Sequence, residues 1–141
     1  MKTALYPARI HRDKKDKVFY VQFLDMENGF TFGETLDQAK EMAADVLSAL
    51  LASYIEHNQE IPEPRKHSGK EVYWIAPDAK VQAALLLRWA RAARSQGEIA
   101  KTMKTTWQAY QKIEHPRNNT TLAKLQKAAK AMNKKLVIEL R

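Results

Sequence analysis

Carboxylates and histidines are the residues of the first half that could perform catalysis or bind a metal. A metal-dependent nuclease needs several carboxylates converging on Mg²⁺, but the first predicted strand, Leu5–Ile10, contains no acid. Asp25 and Glu27 lie where a strand gives way to a turn, and acids are common there for local reasons. The four histidines have no metal-ligand spacing, and the chain has no cysteine to join them. The sequence therefore predicts a protein that is not an enzyme, with no catalytic residue, no metal and no cofactor.

The charge of the chain is unevenly distributed. Residues 1–77 carry ten Lys/Arg and twelve Asp/Glu, a net −2, whereas residues 78–141 carry fourteen and four, a net +10. A concentrated basic module is suited to a polyanion, because each neutralised phosphate releases condensed counterions. A solvated basic surface without a partner is the alternative that charge alone leaves open.

The length and composition indicate a small soluble protein. The 141 residues are enough for one domain or two very small ones. The sequence contains no apolar run of the roughly 18 residues that a membrane span needs. Its N-terminus lacks the apolar core of a secretory signal, and the absence of cysteine fits a reducing compartment. We therefore expect a cytoplasmic location and no membrane partner.

The first half predicts a small α+β unit. Phe19, Val21 and Phe23 alternate with Tyr20, Gln22 and Leu24, the period of a strand, and Asn28-Gly29 predicts a tight hairpin turn. Thr35 and Gln38 form a capping-box pattern at the start of a long amphipathic helix. This helix cannot continue through Ile61-Pro62-Glu63-Pro64, because proline breaks a helix. Glu71–Ile75 predicts a returning strand. Residues 1–77 are thus expected to form a βββαβ domain.

The second half predicts an all-α unit over residues 78–141. Ser95-Gln96-Gly97-Glu98 is a capping box, after which Ile99, Ala100 and Met103 face inward. Lys104-Thr105-Thr106 is the predicted turn before a short helix that contains inward-facing Tyr110 and Ile113. A further helix follows, and the β-branched segment Leu136–Leu140 predicts a short last strand that pairs with another chain.

The stretch Ser95–Asn133 resembles the helix-turn-helix of the phage-repressor and Cro family. The resemblance lies in Ser-Gln-x-Glu-Ile-Ala-x-x-Met-x-Thr-Thr-x-Gln-x-Tyr-x-Lys-Ile-Glu, followed by Leu-x-x-Leu-x-x-Ala-Ala-x-Ala-Met. Two positions depart from it: Lys104 and His115-Pro116 stand where that family often has glycine. A lysine in the left-handed conformation costs about 1 kcal/mol, so a reshaped turn is an open alternative.

This resemblance implies a DNA-binding surface. Gln96 would contact a phosphate, Arg117 the DNA backbone, and the helix after the turn would enter the major groove, where Gln108 has the chemistry to read adenine. The implied DNA-binding residues are Gln96, Thr105, Thr106, Trp107, Gln108, Gln111, Lys112 and Arg117. The alternative is a plain four-helix bundle with Trp107 in its core.

The first half resembles the HicB antitoxin family. Its residues Tyr6-Pro7-Ala8, Phe23-Leu24-Asp25, Gly33-Glu34-Thr35 and Ile61-Pro62-Glu63-Pro64 match, in order, a Y-P strand, an F-x-D strand, a G-E-T helix start and an I-P-x-P loop. The resemblance implies a partial RNase H-like fold over residues 1–77 that blocks HicA, an mRNA-cleaving toxin. Many members continue into a helix-turn-helix and repress their own operon.

The toxin-binding residues are less well defined. A toxin that binds RNA presents a basic surface, and an acidic partner is attracted to it. Asp25, Glu27 and Glu34 are the candidate contacts in the first half. The rival hypothesis is a stand-alone repressor whose first half serves oligomerisation or effector sensing. Since one helix-turn-helix covers only a half-site, we expect a homodimer or a higher homo-oligomer.

Overall fold

The computed structural model describes residues 2–141, which divide into two compact units, one ending at Ala79 and the other spanning Lys80–Arg141. The first unit contains the strands β1 (Tyr6–Arg12), β2 (Phe19–Phe23), β3 (Phe30–Gly33) and β4 (Val72–Ile75), with the helix α1 (Leu36–Glu56) between β3 and β4. The α2 helix (Ala79–Arg91) begins at the boundary. The second unit adds α3 (Gln96–Thr102), α4 (Trp107–Ile113) and α5 (Leu122–Ala131).

The first unit is a four-stranded antiparallel sheet in the order β3-β2-β1-β4, with α1 packed on one face. The register places Ala8 opposite Phe23 and Ile10 opposite Val21, so these four side chains share the face that α1 covers, and all are buried. The expected βββαβ order and the α+β class are confirmed. The alternation of side chains in β2 explains why Val21 and Phe23 share a face, because successive side chains of a strand point to opposite faces of the sheet.

The start of α1 is built as the sequence predicts. The Thr35 hydroxyl accepts a hydrogen bond from the Gln38 amide, and the Gln38 side chain in turn accepts one from the Glu34 amide at 2.6 Å. Gly33 is required just before the cap, because a Cβ there would lie 2.4 Å from the backbone nitrogen of Ala39. The glycine therefore sets how closely α1 approaches β3.

The β2–β3 connection differs from the predicted two-residue hairpin. Residues 24–29 separate the strands, and the turn is closed by a hydrogen bond from the Gly29 amide to the Met26 carbonyl. Neither Asn28 nor Gly29 has a positive φ, so the expected tight turn at these two residues is wrong. Gly29 is instead constrained by space, since a Cβ would lie 3.1 Å from Cβ of Phe23.

The predicted C-terminal strand is also wrong for the single chain. Residues 134–141 have no regular secondary structure, and Val137, Ile138 and Leu140 are largely exposed. A strand needs a neighbouring strand to pair its backbone groups, and no part of residues 2–141 supplies one here. Pairing of this segment between two chains stays a prediction.

Candidate functional sites

Two short helices in the second unit, α3 and α4, pack against each other around a small apolar cluster. The residues that form this cluster are Leu87, Ile99, Ala100, Tyr110, Ile113, Ala128 and Met132. The small side chain at Ala100 permits a close approach between α3 and α4, which are joined by only four residues. The apolar positions singled out in the sequence are thus the ones that fix this helix pair.

The turn between α3 and α4 keeps the left-handed conformation at Lys104, whose φ is 58°. The Thr105 amide donates to the Ala100 carbonyl and the Lys104 amide to the Lys101 carbonyl, both at 3.0 Å. These two bonds are the Schellman pattern that ends a helix. The turn therefore keeps its usual shape, and Lys104 adopts the left-handed conformation despite its conformational free-energy cost.

Side-chain caps fix where both helices begin. The Ser95 hydroxyl accepts from the Glu98 amide, and the Thr106 hydroxyl accepts from the Ala109 amide, each at 3.1 Å. Each bond satisfies one of the amides that a helix start leaves unpaired. Thr106 therefore has a structural role at the start of α4, and its hydroxyl hydrogen is still available for an outside acceptor.

The outer face of α4 carries the polar side chains that the sequence assigned to DNA. Gln108, Gln111 and Lys112 are exposed, while Tyr110 and Ile113 are buried on the opposite side. Trp107 is 49% exposed, so it does not fill a bundle core and the four-helix-bundle alternative loses its main support. Gln108 lies three positions before Gln111 and four before Lys112, spacings that place these side chains near one another on one side of the helix.

The other predicted DNA contacts flank α4. Thr105 lies exposed in the turn before the helix and Arg117 lies exposed after it. Lys101 and Lys104 are exposed on the turn side, which adds positive charge beside the α4 face. Gln96 is different: it is half-buried, and its side-chain amide donates to the Glu114 carboxylate at 3.3 Å. Gln96 is therefore held by the protein itself at the start of α3.

A buried ion pair, which the sequence reasoning missed, connects these elements. Arg91 Nε lies 2.7 Å from one Glu114 oxygen and Arg91 Nη2 lies 3.0 Å from the other, a bidentate arrangement. The Glu114 side chain is only 2% exposed. Hydrogen bonding to Glu114 raises the pKa of the Arg91 guanidinium. The pair joins the last residue of α2 to the end of α4. The hydrogen bond from Gln96 to Glu114 links the start of α3 to the same carboxylate.

Burial also raises the pKa of the neighbouring Tyr110 phenol, with a smaller contribution from the Glu114 carboxylate. Tyr110 is fully buried in the apolar cluster, so its ring packs α4 while Glu114 holds the end of the same helix. A signal for the pair was present in the sequence. Glu114 follows the inward-facing Ile113 directly, and an acid at that position needs a cationic partner.

In the first unit, the candidate toxin contacts divide into buried and exposed residues. The Asp25 side chain is 2% exposed, and its carboxylate accepts hydrogen bonds from the Arg65 amide at 3.0 Å and pairs with His67 Nε2 at 3.1 Å. Asp25 thus fastens the loop after α1 to the end of β2. A direct contact with a partner is therefore not supported for Asp25 in this conformation.

The same loop is held at a second point. The Tyr6 hydroxyl donates to the Pro62 carbonyl at 2.6 Å, and burial raises the pKa of the Tyr6 phenol. The Y-P, F-x-D and I-P-x-P motifs therefore act together, because Tyr6 and Asp25 both hydrogen-bond to the loop segment Pro62–His67. Glu27, in the β2–β3 connection, and Glu34, directly after β3, are exposed and stay candidates for direct contact.

Within residues 2–141, no three carboxylate or histidine side chains come close enough together to hold a metal ion. None of the helices in that part of the chain is both long and apolar enough to span a membrane.

Residues 5–77 match the family model of the HicB-like antitoxin of bacterial toxin–antitoxin systems, and the chain belongs to this family. It is 28% identical to Antitoxin HicB 2 of Photorhabdus laumondii subsp. laumondii over 137 residues, which is 96% of this chain and 95% of that protein. It is 29% identical to Antitoxin HicB of Escherichia coli K12 over 119 residues, which is 84% of this chain and 86% of that protein.

A solved structure is also similar to part of the chain. A toxin–antitoxin complex from Streptococcus pneumoniae contains a chain that is 32% identical over 44% of both chains, with a TM-score of 0.42.

The buried ion pair yields a prediction for stability. Glu114→Ala should lower the free energy of unfolding of the second unit by about 3 kcal/mol, because it leaves the Arg91 guanidinium without its buried partner. Urea unfolding followed by tryptophan fluorescence measures this, since Trp89 and Trp107 both lie in the second unit.

The matched control is an exposed pair of the same chemistry. Arg141 Nε lies 2.9 Å from Glu139, with both side chains more than half exposed. Glu139→Ala should leave the unfolding midpoint unchanged, because solvent screens a surface pair. Equal midpoints for the two variants would show that the Arg91–Glu114 pair does not stabilise the unit.

Proposed function

We propose that the chain is an antitoxin that neutralises a HicA-type mRNA-cleaving toxin and represses its own operon by binding operator DNA. The observation that carries this proposal is the pairing of a HicB-like first unit with a strongly basic second unit whose α4 presents an exposed polar face. In this proposal, residues 1–77 form the toxin-binding domain, with a partial RNase H-like fold, and residues 78–141 form the DNA-binding domain. The role is regulatory and not enzymatic.

The case for DNA rests on α3 and α4 acting as a helix-turn-helix. The buried side of α4 is fixed by Tyr110 and Ile113, so its other side is free to enter a major groove. The Gln108 side chain can form two hydrogen bonds with adenine, at N6 and N7 in the major groove. Lys112 can donate a hydrogen bond to a guanine or a phosphate. Trp107, 49% exposed beside them, offers an apolar surface to a thymine methyl group.

The backbone contacts surround this face. Lys101 and Arg117 are exposed on either side of α4 in sequence, where they favour phosphate without reading the base. The amide of Gln96 is directed by Glu114, so a phosphate contact from Gln96 would depend on that carboxylate. Thr105 and Gln111 complete the proposed surface.

The rival function is a stand-alone repressor whose first unit serves oligomerisation or effector sensing. Membership of the antitoxin family favours toxin binding over this reading. The genomic context separates the two: a short neighbouring reading frame for a basic protein of double-stranded-RNA-binding type favours the antitoxin.

The readout of operator DNA gives the first functional prediction. Gln108→Ala should lose about 1–3 kcal/mol of discrimination at one operator position, because a bidentate base contact is removed. Lys101→Ala or Arg117→Ala should instead weaken binding to every sequence and reduce the slope of log affinity against log salt by about 1. Binding titrations on operator and random DNA at several salt concentrations measure both effects.

Gln126→Ala is the matched control, since Gln126 is an exposed glutamine on α5. It should alter neither affinity nor salt dependence. If Gln108→Ala weakened operator and random DNA equally, Gln108 would have no part in base readout.

The second functional prediction concerns which unit binds the toxin. Residues 1–79, the compact first unit, should rescue growth when expressed with the HicA-type toxin and should form a stable complex with it. The second unit should be dispensable for rescue because its charge has the same sign as an RNA-binding toxin surface. Full toxicity in the presence of soluble, folded residues 1–79 would support the stand-alone repressor.

The third functional prediction concerns self-association of the chain. We propose a dimer that pairs residues 136–140 between two chains, because Val137, Ile138 and Leu140 are 66%, 62% and 95% exposed. Two half-sites on one face of DNA also require two helix-turn-helices. Light scattering at micromolar concentration should give at least twice the mass of the chain, and Ile138→Lys should reduce it. A monomeric mass for the unmodified chain would contradict this proposal.

A further inference from the structure

Aromatic side chains cover one end of the sheet face that α1 leaves open. The register places Tyr20 opposite Phe32, and their ring centroids are 6.5 Å apart. Phe30 and Phe32 are 66% and 56% exposed, and Tyr20 is 43% exposed. Large exposed apolar side chains that are contiguous mark an interaction surface more often than isolated ones do.

These aromatics lie on or beside an edge strand. β3 is the terminal strand in the sheet order, so one row of its backbone groups faces away from β2. Edge strands are commonly protected by being short, by charged side chains or by proline. β3 is short, but its sequence Phe30-Thr31-Phe32-Gly33 contains no charge and no proline. The opposite edge, β4, has Lys70 just before it and Pro77 just after it.

The segment that contains β3 has only negative charges, whereas Arg9 and His11 of the neighbouring β1 line the same surface as Tyr20 and Phe30. Between Lys17 and Lys40 the sequence contains four acids and no lysine, arginine or histidine. Two of the acids are exposed near β3: Glu27 lies in the β2–β3 connection, and Glu34 directly follows the strand. The chain as a whole is +8, so this anionic segment stands out against a basic background.

We infer that the β3 edge, defined as Phe30, Phe32 and Tyr20 together with Glu27 and Glu34, is the surface that receives the toxin. This inference rests on the proposed function and specifies where it occurs. A partner with an RNA-binding surface is basic, and the two carboxylates steer it to the edge. The exposed rings then provide apolar burial, and the unpaired backbone of β3 can accept a strand.

The charge also decides against other occupants. Two copies of this edge facing each other would bring Glu27 and Glu34 of one chain near the same carboxylates of the other. A nucleic acid that approached the edge itself would meet the Glu27 and Glu34 carboxylates, which repel phosphate, whereas Arg9 and His11 lie further along the open face on β1. A basic protein is therefore the occupant that this surface fits.

The experiment uses the full chain and a HicA-type toxin that has been inactivated by substitution so that it can be purified. Phe30→Ala combined with Phe32→Ala should weaken the affinity about 100-fold, a loss typical of central aromatic contacts. Trp74→Ala is the matched control: Trp74 is 46% exposed but lies on β4, at the other edge of the sheet. It should leave the affinity unchanged.

The carboxylates are tested by association rate. Glu27→Lys combined with Glu34→Lys should slow association about tenfold at low salt and converge with the unmodified chain at high salt. Asp45→Lys, at an exposed position of α1, should change the rate much less. Circular dichroism and unchanged operator binding establish that each variant is folded.

The outcomes separate the surface from the function. If the unmodified chain does not bind the toxin, the proposed function fails and the inference with it. If it binds and the Phe30/Phe32 variant binds equally well, the β3 edge is not the toxin surface although the function stands. If the variant instead lowers the mass of the free chain in light scattering and leaves toxin affinity intact, the edge belongs to a second copy, which also overturns the inference.

Discussion

The bidentate pair between Arg91 and Glu114 is the interaction on which the geometry of the second unit depends. The two residues are the last of α2 and the one that follows α4, and Gln96 ties the start of α3 to the same carboxylate. Because Glu114 is nearly excluded from water, separating the pair would leave a charge unsolvated. The outer face of α4 therefore has one orientation relative to α2 and α3, which sequence-specific readout requires.

The first unit uses polar contacts for a different purpose. Asp25 and Tyr6 hold the proline-rich loop against the sheet, so these motif residues are consumed in binding their own chain. In the proposed complex, the residues available to the partner lie around β3, where Gly33 allows α1 to approach the strand closely. Tyr6 and Asp25 therefore shape the unit, whereas Glu34, which belongs to the G-E-T motif, is exposed.

The order of elements, the helix caps and the exposed face of α4 could all be predicted from the sequence, because they follow from local periodicity and from side chains near their own backbone. The Arg91–Glu114 pair could not be predicted as a pair: the position of Glu114 beside Ile113 indicates that it needs a cation, but nothing in the sequence identifies Arg91, which is 23 residues away. The contacts of Asp25 within its own chain were unpredictable for the same reason: its partners Arg65 and His67 lie about 40 residues away in sequence. The Asn28-Gly29 turn failed because packing against Phe23, and not a positive φ, explains the glycine.

Lys104 shows how a surface charge and a backbone preference compete for a single position. Its left-handed φ of 58° suits glycine, and a side chain there costs about 1 kcal/mol. A glycine would relieve this cost and remove one cation from the turn before α4. In the proposed DNA complex, Lys104 adds attraction to phosphate without reading a base, so Lys104→Gly would exchange general affinity for DNA against folding stability.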